Sequence, residues 1–363
     1  METNRINHID VWRFIAISMV IICHIVAFSH PWYSEVAPGI IWRLKLFGTV
    51  GVQVFFCISG FVICRGMVRE SLSTGRVNIS AFYLRRAYRI LPPLAVYILC
   101  IALLSAAGFF DLPLSSFVRA SAFLCNFDVK SCGWELGHTW SLAFEEQFYL
   151  LFPLFFIASH LVEHRQRILS ATLLLVGIML AARLWGIPEI GDYIAFFIFM
   201  LAGCVCALYW EWLEPRLQAL PFSVWLATVL LVLASSLFIF PEPAEQFMRP
   251  VLMPMLICVA VFGTPTRRPT IRRLFSDPHF AYLGRISYGI YLWQQLATAD
   301  YGFSSPLYGL LLVIAAVVLS HYSFVHFEMP LIRRGSELPK ASPTRLDAPR
   351  TGDESDTLSN RSI

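Results

Sequence analysis

The chain has 363 residues, of which 57% are hydrophobic and only 14% are charged. Soluble globular domains carry roughly 25% charged residues, so this composition excludes an ordinary soluble enzyme and predicts a protein that lies mostly within a membrane. The net charge of +4 suits a surface that faces anionic lipid, and it does not indicate nucleic-acid binding.

Apolar stretches recur along almost the whole chain. A helix needs about 20 apolar residues to cross a bilayer, and about ten stretches approach this length. We therefore predict an all-α polytopic membrane protein with about ten transmembrane helices. Pro254 interrupts the eighth of these stretches, and Arg285 interrupts the ninth. The stretches are, in chain order, Val11–Phe28, Leu46–Cys64, Leu91–Phe110, Thr139–Ser159, Ile168–Gly186, Tyr193–Trp210, Phe222–Phe240, Phe247–Gly263, Phe280–Thr298 and Pro306–Phe327.

Arginine and lysine are distributed unevenly between the connecting loops. If the N-terminus is cytoplasmic, the inner loops outnumber the outer loops in these residues by roughly three to one, as the positive-inside rule expects. We therefore predict that both termini are cytoplasmic. The inner set is Arg5, Arg65, Arg69, Arg76, Arg85, Arg86, Arg89, Arg165, Arg167, Arg216, Arg267, Arg268, Arg272, Arg273 and the basic tail; the outer set is Arg43, Lys45, Arg119, Lys130, Arg183 and Arg249.

The segments between the apolar stretches are too short to build a soluble core. Residues 1–334 are therefore predicted to form one membrane domain. Residues 335–363 are rich in Ser, Pro, Asp and Arg, which predicts a disordered cytoplasmic tail. Cys125 and Cys132 share the outer loop between the third and fourth helices, where an oxidising compartment permits a disulfide. The sequence leaves a disulfide and two free thiols equally open.

The first predicted helix carries two ionisable side chains on one face. Arg13 and His24 are eleven positions apart, which places them within roughly 20° of each other and about 16 Å apart along the axis. Asp10 lies one turn before Arg13 and is placed to orient it. Separately, each is explained by a snorkelling arginine or by a histidine bonded to a neighbouring helix. Together they favour a polar path through the bundle.

The stretch "FYLRRAYRILPPL" holds a basic cluster at the predicted inner surface. Arg89 follows Arg85 by four residues and Arg86 by three, so each pair shares a helix face. Guanidinium groups of this kind suit phosphate. A plain positive-inside cluster that holds lipid headgroups explains the same pattern, and the sequence alone favours that simpler explanation.

The stretch "HTWSLAFEEQFYLLFP" contains two adjacent carboxylates, Glu145 and Glu146, within an apolar run. Each ionised carboxylate costs about 2.5 kcal/mol or more at the centre of a bilayer. Either the pair lines a water-accessible cavity or it meets cations from neighbouring helices, and both alternatives imply a polar bundle interior. Trp140 lies at the outer end of this helix, beside His138.

The stretch "YLGRISYGIYLWQQL" supplies hydroxyl and amide groups in the ninth predicted helix. Tyr288, Tyr291, Gln294 and Gln295 have the chemistry of a binding surface for a sugar-like ligand. An aromatic belt at the membrane interface is an equally good explanation. Glu328, near the end of the last predicted helix, is placed to neutralise a cytoplasmic arginine.

Taken together, these motifs resemble the type-3 membrane acyltransferase family, and the resemblance extends over roughly Ile9 to Arg334. "IDVWRFIAISMVIICH" has the family's Arg-x10-His spacing, and "GVQVFFCISGFVI" is similar to its Gly-Val-x-x-Phe-Phe segment. "FYLRRAYRILPP" carries its Arg-x-x-Arg pair, and "HTWSLAFEEQFYLLFP", "LGRISYGIYLW" and "HFEMPLIRR" resemble its later segments. Gln53 and Gln294 depart from the family, which often has Asp and His there. Many relatives also carry a C-terminal esterase-like domain.

The resemblance implies an enzyme of the bacterial inner membrane that transfers an acyl group, usually acetyl, from cytoplasmic acyl-CoA. The acceptor is then a hydroxyl of an extracytoplasmic or lipid-linked glycan. Membrane lipid and other polysaccharide-assembly proteins are the further partners that the resemblance allows, and it implies no metal. The expected acyl-CoA-binding residues are Arg13, Arg85, Arg86 and Arg89.

The resemblance also implies roles for the remaining polar residues. His24 acts as general base or accepts the acyl group. Glu145 or Glu146 orients its imidazole or binds sugar hydroxyls. Trp140, together with Tyr288, Tyr291 and Gln295, binds the acceptor.

Two other classes of protein fit the same polar interior. A transporter or flippase of lipid-linked sugars needs ionisable groups along its path, and a non-catalytic subunit of a polysaccharide export system is the third alternative. Acceptor identity, acyl chain length and oligomeric state are open at this point.

Overall fold

The computed structural model describes residues 7–28, 38–157, 161–236, 244–299 and 306–337, and most of these residues are helical. No β-strand occurs within these segments, which confirms the predicted all-α fold. The helices are α1 (Asn7–Phe28), α2 (Pro38–Thr74), α3 (Ile79–Ala106), α4 (Leu114–Ser121), α5 (Gly133–Gly137), α6 (Thr139–Ile157), α7 (Leu161–Leu184), α8 (Pro188–Leu208), α9 (Trp210–Gln218), α10 (Phe222–Ala234), α11 (Ala244–Phe262), α12 (Pro269–Phe275), α13 (Pro278–Arg285), α14 (Ser287–Ala297), α15 (Pro306–Ser323) and α16 (Met329–Ser336).

Several of these helices have the length and apolar character of membrane spans. In the described part of the chain six helices qualify alone, and the pair α9 and α10, bent by 105°, raises the total to seven if it counts as one span. This confirms a polytopic membrane protein. Helices also occupy the other predicted stretches, although α6 carries two carboxylates and α10 and α14 are short, with 13 and 11 residues.

Helix α2 forms the centre of the bundle and packs along α1 and α8. Two glycines bring the backbones of α2 and α8 together. A Cβ atom on Gly60 of α2 would collide with the carbonyl of Met200, and one on Gly203 of α8 would collide with the carbonyl of Cys57. Small residues at a helix crossing allow this close approach, which increases van der Waals contact where no hydrophobic effect acts between helices.

The connection between α2 and α3 is much shorter than the apolar pattern suggests. That pattern ends at Cys64 and resumes at Leu91, yet α2 continues to Thr74 and α3 begins at Ile79. The Asn78 side chain caps α3 by accepting a hydrogen bond from a backbone N–H of its first turn at 3.0 Å. The basic cluster therefore lies on a regular helix, not in a loop.

The predicted ninth helix is interrupted. Helix α13 ends at Arg285, and α14 begins at Ser287. Gly284 of α13 lies against the Asp10 carbonyl of α1, where a Cβ atom would collide with it. The break separates Arg285 from the polar residues of α14, so the single amphipathic helix expected from residues 280–298 is wrong in this detail.

The segment between α3 and α6 is closed by a disulfide. Cys125 and Cys132 are bonded, with their Cα atoms 6.0 Å apart, so the structure selects the paired alternative for these two cysteines. Both are fully buried. The predicted disordered tail lies outside the described residues from position 338 onward.

Candidate active site

Three cavities in the bundle contain most of the predicted site residues, and we name them outer, middle and inner by the predicted orientation. The outer cavity has a volume of about 530 Å³ and is formed by α1, α2, α14 and the segment from residue 129 to α6. Its polar lining includes both predicted and unpredicted side chains, namely His24, Lys45, Thr49, Lys130, Trp134, His138, Trp140, Tyr291 and Gln295.

The imidazole of His24 is held from one side by an amide. Its Nδ1 atom lies 2.9 Å from Oε1 of Gln294 on α14. The indole of Trp134 packs beside the imidazole, with ring centroids 5.5 Å apart. Gln294 is fully buried. Sequence reasoning included Gln294 among the groups that suit a sugar-like ligand but did not place it beside His24; its departure from the family pattern was the signal that marked the position.

The other polar residues of α14 are bonded within the protein. The Gln295 amide nitrogen donates to the Trp134 carbonyl at 2.7 Å. The hydroxyl of Tyr291 donates to the His138 carbonyl at 2.7 Å and lies 2.7 Å from the Ser141 hydroxyl. These bonds position the wall of the outer cavity.

The middle cavity is small, about 60 Å³, and contains both signs of charge. Arg13 and Glu145 line it together with Tyr288. Val52 and Tyr291 line both this cavity and the outer one, so the two are adjacent. The Tyr288 hydroxyl donates to the carbonyl of Ile90 at 3.0 Å, next to the proline pair of α3.

The two carboxylates lie apart from His24. Glu145 accepts hydrogen bonds from Ser59 at 2.9 Å and from Tyr149 at 3.0 Å. Oε1 of Glu146 is buried and has no hydrogen-bond partner among the described residues. Neither carboxylate lines the outer cavity. The structure thus brings Glu145 together with Arg13 in the middle cavity, whereas the amide of Gln294 occupies the position beside the imidazole.

The inner cavity, of about 560 Å³, is rich in arginine. Arg85, Arg86 and Arg89 all line it, which brings the predicted basic cluster together on one cavity wall. Arg69 lines it as well, and Glu70 forms an ion pair with Arg85 at 3.4 Å. Sequence reasoning counted Arg69 only toward orientation, because no pattern placed the end of α2 beside α3.

A chain of contacts connects the inner cavity to the middle one. The guanidinium of Arg86 lies over the ring of Tyr149 at 5.3 Å from its centroid, and Tyr149 bonds Glu145 of the middle cavity. Among the described residues, no group of three His, Cys, Asp or Glu side chains lies close enough to hold a metal ion. The cavities form a polar series from the arginines to the imidazole.

The segment beside the outer cavity contains an ordered carboxylate. Asp128 accepts hydrogen bonds from the hydroxyl and backbone N–H of Ser131, and these bonds hold the pKa of Asp128 below its ordinary value. A lowered folded-state pKa stabilises the fold above the unfolded pKa, and this contribution is lost as the pH falls through the folded value. Protonation of Asp128 therefore removes this contribution.

Fold and cavities together define a multi-pass membrane protein with a histidine in a polar interior. A family model described as an acyltransferase domain matches residues 6–324. The chain therefore belongs to the type-3 membrane acyltransferase family, as its motifs predicted.

Two bacterial proteins are similar to this chain over 79% of its length. One is named "Putative peptidoglycan O-acetyltransferase YrhL", from Bacillus subtilis, with 26% identity. The other is the peptidoglycan O-acetyltransferase OatA from Listeria monocytogenes, with 24% identity. The aligned region covers 51% and 52% of these relatives, so the chain spans about half of their length. No solved structure matches the chain.

Proposed function

We propose that this protein is an O-acetyltransferase of the bacterial inner membrane that moves an acetyl group from cytoplasmic acetyl-CoA to a hydroxyl of an extracytoplasmic or lipid-linked glycan. One observation carries the proposal: His24 lies in the outer cavity at one end of a polar series whose other end is the arginine-rich inner cavity. The names of the relatives support acetyl as the group and a glycan as the acceptor.

The inner cavity supplies the donor site in this proposal. Arg85, Arg86 and Arg89 bind the phosphates of acetyl-CoA through charge-assisted hydrogen bonds. The thin pantetheine arm extends past Arg13 in the middle cavity toward the outer cavity. The narrow middle cavity requires local opening around Tyr288 and Tyr291 when the arm enters.

The outer cavity supplies the acceptor site. Its volume suits one or two sugar rings, and Trp140, Tyr291 and Gln295 offer stacking and hydrogen-bonding surfaces. Tyr288 lies deeper, where it contacts the donor arm in this proposal.

The chemistry is acyl transfer from sulfur to oxygen. The acceptor hydroxyl attacks the thioester carbonyl while neutral His24 takes its proton. The carbon–sulfur bond then breaks, the new ester is released, and the CoA thiolate recovers a proton to leave as the thiol. We favour this direct transfer over an acetyl-histidine intermediate. Glu145 keeps the middle cavity polar and balances Arg13.

Membranes that contain the protein and its native acceptor, incubated with labelled acetyl-CoA, test this proposal. We expect label in the glycan fraction, loss of transfer in His24→Ala, and a KM for acetyl-CoA raised roughly 10- to 100-fold in Arg86→Ala, because a hydrogen bond to a charged group contributes about 1.5–3 kcal/mol. Arg272→Ala, an exposed arginine on α12, is the matched control for loss of one positive charge.

Parental transfer in His24→Ala would contradict the proposal. Movement of a lipid-linked sugar across the membrane without any dependence on acetyl-CoA would instead favour a flippase.

A further inference from the structure

We propose that Gln294 and Gln295 form a positioning relay that holds His24 in a single tautomer, with its proton on Nδ1 and its lone pair on Nε2. The inference deepens the proposed function and rests on it, because it names which atom of His24 takes the proton. It concerns residues of α14 that touch the imidazole or each other and do not themselves react.

The direction of each hydrogen bond in the relay follows from the bond at one end, because a backbone carbonyl only accepts hydrogen bonds. A side-chain atom of Gln295 lies 2.7 Å from the carbonyl oxygen of Trp134, so that atom is the amide nitrogen. The Trp134 indole N–H in turn donates to the backbone carbonyl of Gln295 at 3.1 Å, which keeps the two residues together. The bond from the amide nitrogen fixes the orientation of the Gln295 side-chain amide, and its Oε1 then faces Gln294.

The orientation of Gln294 follows from the same rule. Its Nε2 donates to Oε1 of Gln295 at 3.2 Å and approaches the carbonyl of Tyr291 at 3.4 Å. A flipped Gln294 amide would place its oxygen against both of these oxygens. Oε1 of Gln294 therefore faces His24, and an amide oxygen accepts only, so Nδ1 of His24 is the donor in the 2.9 Å bond.

The consequence is chemical. A neutral imidazole carries one N–H, so protonation of Nδ1 leaves Nε2 as the basic nitrogen. Removal of the relay would take away the acceptor that holds the proton on Nδ1. An amide also differs from a carboxylate at this position, because it orients the ring without adding the negative charge that would favour the imidazolium form.

Among the described residues, five other titratable side chains line the outer cavity, namely Cys23, Lys45, Lys130, His138 and Tyr291. No carboxylate is among these lining residues. A Gln294→Glu substitution would thus introduce the first carboxylate of this wall while it keeps the oxygen that accepts from Nδ1.

Nitrogen NMR of the full chain in lipid nanodiscs, with ¹⁵N-labelled histidine, tests the tautomer without any need for activity. The His24 signals are identified by their absence in His24→Ala. We expect the Nδ1–H tautomer in the parent and a mixture in Gln294→Met. An Nε2–H imidazole in the parent, or an unchanged tautomer in Gln294→Met, would overturn the relay even if acetyl transfer is real.

Transfer rates in membranes give a second readout. Gln294→Met should lose roughly 10- to 100-fold in rate at saturating acetyl-CoA, since misplacement of a catalytic group costs this much. Gln294→Glu keeps an oxygen at Nδ1 but sets its second oxygen against the acceptors of Gln295 and Tyr291, so its rate at high pH should lie between those of the parent and Gln294→Met. The acidic limb of its rate–pH curve should move to higher pH, because the new carboxylate stabilises the imidazolium. A parental rate in Gln294→Met, or an unmoved limb in Gln294→Glu, counts against the relay.

Gln147→Met is the matched control. Gln147 is a partly buried glutamine on α6 whose amide bonds Asn126 and the Phe123 carbonyl, away from the residues that line the outer cavity. Its loss removes comparable hydrogen bonds but should leave the rate per folded molecule and the rate–pH curve at parental values. If the parent itself transfers no acetyl group, the proposed function fails, whereas the NMR result still decides the tautomer.

Discussion

At the scale of single residues, the adjacent glutamates are placed differently by helix geometry. Neighbouring residues on a helix point about 100° apart. Glu145 therefore reaches Ser59 and Tyr149, while Oε1 of Glu146 has no partner in the part of the chain that the structure describes. A carboxylate that accepts several hydrogen bonds is far less costly inside a bundle than a bare one.

Removal of one of these donors should destabilise the bundle. Tyr149→Phe leaves an oxygen of Glu145 with one hydrogen bond fewer in a buried place, so we expect a loss of about 1–3 kcal/mol in the free energy of unfolding. The midpoint of thermal unfolding in detergent measures this loss of stability. Tyr83→Phe, whose hydroxyl bonds the Leu150 carbonyl at an exposed position, is the control and should change the midpoint less. Equal midpoints for the two variants would refute this account of Glu145.

At the scale of elements, the crossing of α2 and α8 depends on backbone approach. The glycines at this crossing leave no room for a methyl group, because the atoms opposite are backbone carbonyls that cannot swing aside. The lining of the middle cavity includes residues of α2, so the crossing also sets the geometry of the site.

We expect Gly203→Ala to separate α2 from α8 and to lower both the unfolding temperature and the transfer rate. Close packing transmits even a one-carbon change. The control is Gly177→Ala on α7, where an added Cβ meets no atom within 4 Å and where alanine is the better helix former. If both variants unfold at the same temperature, the crossing is not as tight as described.

At the scale of the whole molecule, the orientation in the membrane decides which cavity faces which compartment. The disulfide between Cys125 and Cys132 agrees with the predicted outer location of its loop, because disulfides persist in oxidising compartments. The arginine-rich cavity lies near the connection between α2 and α3, which the distribution of positive charge assigns to the cytoplasm.

Cysteine labelling tests this orientation. Asp111→Cys lies exposed after α3 and Arg272→Cys lies exposed on α12. A membrane-impermeant maleimide applied to intact spheroplasts should label the first variant and should label the second only after permeabilisation. The parental chain is the background control, since its free cysteines in the described residues are buried or partly buried. The reverse labelling pattern would invert the assignment of donor and acceptor cavities.

Particular residues show how much of the candidate site could be predicted from the sequence. Spacing alone placed Arg13 and His24 on one stripe of α1, and they line adjacent cavities. The resemblance implied that Glu145 or Glu146 orients the imidazole or binds sugar hydroxyls. The structure places the Gln294 amide, 270 residues away in the chain, against Nδ1 of the imidazole. Pairings of this kind depend on how helices cross, which no local pattern encodes.

The sequence by itself determined the membrane-embedded helical class, the family and the residue types that carry the chemistry, because hydropathy and helical spacing are properties of short segments. Tertiary structure alone decided that Glu145 binds Ser59 and that an amide holds His24. It also decided that the arginines of α3 share a cavity with the end of α2. These outcomes arise from contacts between different helices, where shape and hydrogen-bond geometry select one pairing among many that the composition permits.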